Sequence, residues 1–278
     1  MAESRTVAVG DVELAVVEAG RGGRPLLLVH GFTGAKEDFR DAVDPLAAAG
    51  HWVVAPDLRG HGGSTHLPGE GAYTLDRFVD DVLGLADALG WDRFDLLGHS
   101  MGGMVAQMVA LRRPGAVSRL VLMDTGHGPV TGLDEDLLAV GIELCRADGV
   151  AAVLAVQKMG DAPLETPAHR RMVEEGPGWV EYAKMLASSP DMWCSVVAQL
   201  TTVPDRLDDL RTLPMPTLVL VGEQDGPFRA PSEAMAAAIP DARLVVIPGG
   251  GHSPQFEAPD AWFDGVSSFL AAPSPAVR

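Results

Sequence analysis

The hydrophobic pattern of the chain alternates between short apolar runs and segments whose apolar residues recur at helical spacing. The short runs predict buried strands at residues 26–29, 52–55, 94–97, 120–123, 218–221 and 244–247. The helical spacing predicts helices at residues 37–49, 75–89, 101–111, 231–238 and 259–270. Because strands that alternate with helices favour βαβ units, we predict an α/β fold with a mostly parallel sheet.

Two parts of the chain depart from this alternation. Residues 6–9 and 12–17 flank Gly10-Asp11, which predicts a hairpin. Residues 125–213 lack a clear strand pattern and predict several helices broken by glycine and proline. Since the strand–helix order resumes after them, we predict a core domain of residues 1–124 and 214–278 that carries residues 125–213 as a helical insertion.

Composition and charge exclude several classes of protein. With 47% hydrophobic residues, the 278-residue chain can bury a large core, which excludes an intrinsically disordered protein. The formal net charge of −17 opposes nucleic-acid binding, because a nucleic-acid-binding protein needs a basic face to neutralise phosphates. Two cysteines, Cys145 and Cys194, cannot form a disulfide framework and are typical of a reducing compartment.

Targeting and cofactor signals are weak in the sequence. It has no run of about 18 apolar residues, and residues 1–10 lack the apolar segment of a secretory signal. We therefore expect a cytoplasmic protein without a membrane partner. The glycine-rich runs match neither nucleotide-binding pattern and the histidines lack metal-ligand spacing, so we expect no cofactor and no metal.

The strongest chemical signal is the pentapeptide GHSMG at residues 98–102. It follows the predicted strand 94–97 directly and leads into the predicted helix from Met101. A G-x-S-x-G sequence in this strand–turn–helix context is typical of a nucleophile elbow, in which a tight turn holds the serine in a strained conformation. The competing interpretation is a glycine-rich turn in which Ser100 caps the helix.

A serine nucleophile needs a base and an orienting acid. His252 follows the predicted strand 244–247 and Asp225 follows the strand 218–221. Open α/β sheets place their sites at these carboxyl ends of strands. The chain order Ser100, Asp225, His252 matches the Ser…Asp…His order of α/β-hydrolases. Asp124, directly after the strand 120–123, is the alternative acid.

Two further segments complete a family resemblance. Residues 30–34 (HGFTG) resemble an HGxxG oxyanion loop, and residues 57–64 (DLRGHGGS) resemble a DxRGHGxS turn. With the elbow and the ordered Asp and His, these segments make the chain resemble serine hydrolases of the α/β-hydrolase superfamily, of the esterase and lactonase type. The resemblance covers nearly the whole chain and is more specific for the fold than for the substrate.

The resemblance implies a fold, a site and a reaction. It implies an α/β-hydrolase sheet flanked by helices, with residues 125–213 as a helical lid. The backbone N–H groups of Phe32 and Met101 are expected to form the oxyanion hole. The implied activity is hydrolysis of a small carboxylic ester or lactone through an acyl-enzyme. Some members of the superfamily carry the acid at the position of Asp124, so this alternative stays open.

Other functions share the same fold and triad. A hydrolase of carbon–carbon bonds in ring-cleavage products is the main alternative, followed by a cofactor-free haloperoxidase or perhydrolase. A ligand receptor on the same fold is the alternative outside enzymes. Epoxide hydrolases and haloalkane dehalogenases are disfavoured, because they need a carboxylate at the position of Ser100.

Large side chains in the predicted lid have two interpretations. They could line an apolar substrate pocket, or they could pack the lid helices on each other and on the sheet, which we favour for each one taken singly. They are Met159, Met172, Trp179, Met185, Met192 and Trp193.

Overall fold

A computed structural model describes residues 1–159, 166–175 and 179–271 of the chain. The strands in these residues are β1 (Glu3–Val9), β2 (Val12–Ala19), β3 (Arg24–Val29), β4 (His51–Pro56), β5 (Phe94–His99), β6 (Val117–Met123), β7 (Thr217–Gly222) and β8 (Ala242–Ile247). They form one eight-stranded sheet in the order β1-β2-β4-β3-β5-β6-β7-β8. The predicted strands and the predicted hairpin are confirmed.

The sheet is parallel except at β2. This strand pairs antiparallel with β1 and with β4, and Val9 lies opposite Val12 across the hairpin turn. All other neighbouring strands run parallel. The strand order reverses between β3 and β5, because β4 lies on one side of β3 and β5 on the other. In open α/β sheets, such a reversal opens a crevice at the carboxyl ends of the strands.

Helices connect and cover the strands. In the described residues they are α1 (Arg40–Ala48), α2 (Leu75–Ala88), α3 (Met101–Arg112), α4 (Glu135–Asp148), α5 (Val150–Gln157), α6 (Pro167–Glu175), α7 (Trp179–Leu186), α8 (Pro190–Leu200), α9 (Leu207–Leu210), α10 (Gly226–Ala238), α11 (Pro254–Glu257) and α12 (Pro259–Ala271). Two of the predicted helices begin at a different residue. A tight 3-10 turn at Lys36–Phe39 precedes α1, and α10 begins five residues before Pro231, which lies inside the helix.

Successive residues of each strand point to opposite faces of the sheet and are buried there. Leu27 and Leu96 pack on the face that also holds apolar residues of α2 and α3. Leu26 and Leu97 pack on the other face, against residues of α1 and α12. This period of two places helices on both faces of a largely parallel sheet. The α/β-hydrolase fold predicted from the sequence is confirmed.

The described part of residues 125–213 contains helices α4–α9 and no strand. These helices lie between β6 and β7 in the chain. Helix α8 belongs to two clusters, because Met192 and Val196 pack with the sheet while Trp193 and Val197 pack with α4 and α5. None of the described helices is long and apolar enough to cross a membrane.

Candidate active site

Ser100 occupies the turn between β5 and α3. Its backbone has φ 53° and ψ −119°, a conformation that a residue with a side chain rarely adopts and that stores strain at functional sites. The Ser100 N–H donates to the Met123 carbonyl at 2.9 Å, and the Thr125 hydroxyl donates to the Ser100 carbonyl at 2.7 Å. The Ser100 side chain makes no capping hydrogen bond to α3, so it is not an ordinary helix cap.

Small residues allow this turn to form. A Cβ atom at Gly98 would overlap the carbonyl oxygen of Gly102, and a Cβ at Gly102 would overlap the carbonyl oxygens of Val29 and His30. A Cβ at Gly103 would lie 2.6 Å from the Thr125 Cβ atom. Strand β5, helix α3 and the end of β3 can therefore approach each other only with glycine at these positions.

Ser100, His252 and Asp225 come together at the carboxyl ends of the strands. His252 Nε2 lies 3.0 Å from Ser100 Oγ, and His252 Nδ1 lies 2.9 Å from Asp225 Oδ2. Because an ionised Asp225 can only accept, this pattern places the proton of a neutral His252 on Nδ1 and leaves Nε2 to accept from the Ser100 hydroxyl. Phe228 stacks on the His252 ring at 4.9 Å between centroids.

Two residues that the sequence did not single out hold the loop of His252. Glu257 Oε2 accepts the N–H groups of Gly251 at 2.6 Å and of Ser253 at 3.1 Å, one on each side of the histidine. His99 Nε2 donates to the His252 carbonyl at 2.7 Å. Burial, followed by the neighbouring His252, lowers the pKa of His99 to about 3, so His99 is a neutral donor near pH 7. The only sequence signal for Glu257 is its position five residues after His252.

Asp124 lies beside this group without touching His252 in the described hydrogen bonds. It follows β6 with φ 46° and is fully buried. Its Oδ1 atom accepts the Gly222 N–H at 2.8 Å, and its carboxyl group interacts with that of Asp225. Burial, and then the charge of Asp225, raise the pKa of Asp124 well above its usual value. Of the two candidate acids, Asp225 is the one that faces the histidine.

The loop after β3 lies against the turn of Ser100. His30 Nδ1 donates to the Gly31 carbonyl at 2.7 Å, and His30 Nε2 accepts the Leu58 N–H at 3.0 Å. The buried His30 ring therefore holds the loop after β3 to the segment after β4. A Cβ atom on Gly31 would lie 3.0 Å from the Ser100 Cβ. The backbone N–H groups of Phe32 and Met101 donate to no acceptor in the described residues. Both are available to a ligand oxygen.

Residues 57–64 form a scaffold beneath this loop. The Asp57 carboxylate accepts the backbone N–H groups of Lys36 at 2.7 Å and Gly63 at 2.8 Å. Arg59 makes a two-pronged ion pair with Asp81, with both N–O distances at 2.6 Å and both side chains buried. The turn therefore positions the neighbouring elements and contributes no group to the site itself.

A cavity of about 290 Å³ opens above Ser100 and His252. Most of its exposed lining surface is apolar, although polar and charged side chains such as Gln157, His169 and Lys184 also line it. The apolar side chains are Phe32, Val130, Leu133, Leu138, Met185, Trp193, Val197, Leu200 and Phe228. A buried ion pair between Lys184 of α7 and Asp38 lies in its wall. Such a cavity suits a largely apolar small molecule with a few polar anchors.

Some of the large side chains of residues 125–213 line the cavity, and others pack against the sheet or lie at the surface. Met185 and Trp193 line the cavity. Met192 is fully buried and packs with the sheet, whereas Met159 is exposed. The side chains of Met172 and Trp179 lie outside the described part of the structure. In the described residues, no group of three or more His, Cys, Asp or Glu side chains could hold a metal ion.

Comparison with known proteins places the chain in a family. The model of the alpha/beta hydrolase family matches residues 26–264. The protein therefore belongs to the alpha/beta hydrolase family and is an α/β-fold hydrolase, as the resemblance of its sequence motifs implied.

The relatives cover most of the chain and differ in substrate. The chain is 32% identical to 2-hydroxymuconate semialdehyde hydrolase of Pseudomonas putida, over 90% of this chain and 88% of the relative. It is 28% identical to the sn-1-specific diacylglycerol lipase ABHD11 of Mus musculus, over 88% of this chain and 80% of the relative. A thermophilic esterase from Thermogutta terrifontis superposes with a TM-score of 0.81 at 29% identity, over 96% of this chain and 98% of the esterase.

Proposed function

We propose that the protein is a serine hydrolase that cleaves a carboxylic ester or lactone through an acyl-enzyme intermediate. Ser100 is the nucleophile, His252 the general base and acid, and Asp225 the acid that orients His252. The observation that carries the proposal is the chain of hydrogen bonds from Ser100 through His252 to Asp225 at the floor of the cavity. A serine hydroxyl becomes nucleophilic when a base in this position removes its proton.

Acylation follows from these contacts. His252 Nε2 accepts the Ser100 proton while Ser100 Oγ bonds to the carbonyl carbon of the substrate. The carbonyl oxygen gains negative charge and accepts hydrogen bonds from the N–H groups of Phe32 and Met101. The C–O bond to the leaving group then breaks, and His252 returns the proton to the departing alkoxide. Asp225 stabilises the imidazolium that exists between these steps.

Deacylation repeats the same proton transfers with water as the nucleophile. His252 removes a proton from water as the water oxygen attacks the acyl carbon, and then protonates Ser100 Oγ as that bond breaks. The same two N–H groups hold the oxyanion. Since the loss of one such donor costs about 3–4 kcal/mol of barrier, these groups supply a large share of the rate enhancement.

The helical insertion fits the role of a lid in this proposal. We assign residues 1–124 and 214–278 to the catalytic core and residues 125–213 to the lid. Ser100 and Phe32 contribute to the cavity from the core, while Met185 and Trp193 contribute from the helices of residues 125–213. Opening of these helices would admit a small ester or lactone. We place the enzyme in the cytoplasm, on the basis of its two free, buried cysteines.

Covalent labelling and turnover together test the nucleophile. A serine-directed phosphonate should modify Ser100, and Ser100→Ala should lower kcat for a nitrophenyl ester by about 10⁶-fold. Ser253→Ala is the matched control for labelling, because Ser253 lines the same cavity and its replacement should leave the phosphonate on Ser100. Full turnover by Ser100→Ala would rule out the mechanism.

The orienting acid has its own test. Asp225→Asn should lower kcat by about 10⁴-fold, because an amide in place of the carboxylate favours the wrong histidine tautomer. Asp124→Asn should cost much less, since Asp124 does not contact His252. A larger loss from Asp124→Asn than from Asp225→Asn would assign the role to Asp124 instead.

A carbon–carbon bond hydrolase is the second candidate. The observation in its favour is the 32% identity to 2-hydroxymuconate semialdehyde hydrolase over most of both chains. The two functions are separated by substrate preference. If ring-cleavage dienones are turned over with a higher kcat/KM than nitrophenyl esters and lactones, the second candidate replaces the first.

A further inference from the structure

Two buried carboxyl groups, those of Asp124 and Asp225, meet behind the proposed base. Asp124 Oδ1 accepts the Gly222 N–H at 2.8 Å, and Asp225 Oδ2 faces His252 Nδ1 at 2.9 Å. The remaining oxygens, Asp124 Oδ2 and Asp225 Oδ1, are buried and have no donor among the described residues. The two carboxyl groups nevertheless interact, because the charge of Asp225 and a side-chain hydrogen bond to it both contribute to the raised pKa of Asp124.

This contact requires a proton. Two ionised carboxylates contain only acceptors, so they repel and leave two oxygens buried without a hydrogen bond. One shared proton converts the same contact into an O–H···O⁻ hydrogen bond, which is among the stronger hydrogen bonds in proteins. Buried polar groups in folded proteins are almost always satisfied in some such way.

We propose that Asp124 is protonated and donates this hydrogen bond to Asp225, so that the two carboxyl groups act as a monoanion behind His252. The proposal rests on the proposed function, because it takes Asp225 as the acid that orients His252. In it Asp124 is a positioning residue. Its hydrogen bond occupies the second oxygen of Asp225 and fixes the plane of the carboxylate that faces the imidazole.

The surroundings decide which of the two groups keeps the proton. Asp225 accepts from His252 Nδ1, and in the proposed reaction a negative charge at this position stabilises the imidazolium. Asp124 is buried, and the charges of Asp225 and Glu257 oppose its ionisation, whereas the Gly222 N–H that it accepts favours it. These conditions raise the pKa of Asp124 well above its usual value. The proton therefore belongs on Asp124.

The placement comes from the sheet and not from local sequence. Asp124 follows β6, and its side chain reaches the Gly222 N–H at the end of the neighbouring strand β7. Asp225 lies three residues beyond Gly222. The left-handed backbone of Asp124, with φ 46°, directs its side chain across this strand boundary. Asn tolerates this conformation nearly as well as Asp, which provides a matched replacement.

Infrared spectroscopy tests the protonation state without any turnover. The difference spectrum of wild type minus Asp124→Asn at pH 7 should contain the C=O band of a protonated carboxylic acid. Buried carboxyl groups outside the Asp124–Asp225 pair remain in both proteins and cancel in the difference. A difference that contains only carboxylate bands would overturn the proposal, whatever the activity of either protein.

The pH profile tests the positioning role. Asp124→Ala removes the donor and should lower kcat/KM for a nitrophenyl ester roughly 10- to 100-fold and move its acid limb upward. Asp124→Asn restores a neutral donor and should recover most of this loss, with the acid limb at the wild-type position. If Asp124 were ionised, Asn would remove a negative charge near His252 and move the acid limb downward by about one unit, which would contradict the proposal.

The two measurements separate this inference from the proposed function. If Asp124→Ala does not fold, the infrared band and the Asn profile still decide the question. If Ser100→Ala keeps full turnover, the triad mechanism fails while the carboxylic acid band persists. If Ser100→Ala is inactive and the band is missing, only the protonation of Asp124 is wrong.

Discussion

Burial governs the protonation of individual histidines in this structure. His51, at the start of β4, is almost fully buried, and its Nε2 atom lies 3.0 Å from an Nη2 atom of Arg24. Since an arginine can only donate, this contact requires a neutral imidazole that accepts. Burial first, and the charges of Arg24 and Arg119 next, lower the pKa of His51 to about 4. Folding therefore excludes a proton that the unfolded chain would bind.

This exclusion predicts a stability loss in mild acid. Above about pH 6.5 His51 is neutral in both states, so it adds no pH dependence. Between pH 6.5 and about 4 the unfolded chain binds a proton and the folded chain does not, so the free energy of unfolding falls by up to about 3 kcal/mol. Below about pH 4 both states are protonated and this contribution is constant.

His51→Gln isolates the effect, because glutamine keeps an acceptor for Arg24 and does not titrate. Urea unfolding at pH 7.5, 5.5 and 4.5 should show a smaller loss of unfolding free energy in the variant than in the wild type. His99, whose pKa is also lowered, remains in both proteins and cancels in the comparison. Identical losses in the two proteins would mean that His51 is not the group that titrates.

At the scale of elements, the junction of β5 and α3 depends on glycine. A Cβ atom at Gly102 would overlap backbone oxygens of Val29 and His30, which cannot move as the end of a flexible side chain could. Gly102→Ala should therefore lower the free energy of unfolding by about 3 kcal/mol or more, the upper end for overpacking. Gly115→Ala is the control, because a Cβ there meets nothing within 4 Å.

Chemical denaturation of both alanine variants measures this difference. The control should stay within about 0.5 kcal/mol of the wild type. A cost at Gly102 no larger than at Gly115 would show that the elbow can relax around an added methyl group, and the close approach of β3, β5 and α3 would then lose its explanation.

The elements that the sequence predicted best are those whose signal is local. The strand before Ser100, the elbow and the helix after it combine an apolar run, two glycines and a helical pattern within adjacent residues. The turn at Lys36–Phe39 was missed because its geometry depends on a distant partner, since the Lys36 N–H donates to Asp57. Hydrophobic periodicity contains no information about such contacts.

The residues of the candidate site also differ in how far local sequence patterns predict them. The GHSMG motif, the strand ends and the chain order predicted Ser100, Asp225 and His252 as the triad, with Asp124 as the alternative acid. The contact of Asp124 with Asp225 requires that β6 and β7 be neighbouring strands. No local sequence pattern predicts which strands pair. The hydrogen bonds of Glu257 to both sides of His252 depend on how a short helix folds back on its loop. The contacts of Asp124 and Glu257 arise from tertiary structure, so the sequence patterns could not predict them.

At the scale of the whole molecule, helix α8 joins the helices of residues 125–213 to the sheet. Met192 and Val196 are fully buried with residues of the sheet and of α2, whereas Trp193 and Val197 pack on α4 and α5. The Ser189 N–H, just before α8, also donates to the Gly60 carbonyl of the core at 2.8 Å. One side of α8 therefore packs in the core of the sheet, and the other side packs in an apolar cluster formed by the helices of residues 125–213.

This shared helix predicts that the helices of residues 125–213 and the sheet unfold together. Calorimetry should give one transition, with a calorimetric enthalpy equal to the van't Hoff enthalpy. Val196→Ala should lower the stability of that whole transition by about 2 kcal/mol, because it leaves a cavity between α8 and the sheet. Val156→Ala, at an exposed position of α5, should stay within about 0.5 kcal/mol of the wild type. Two resolved transitions, or a Val196→Ala effect confined to one of them, would mean that the helices of residues 125–213 fold independently of the sheet.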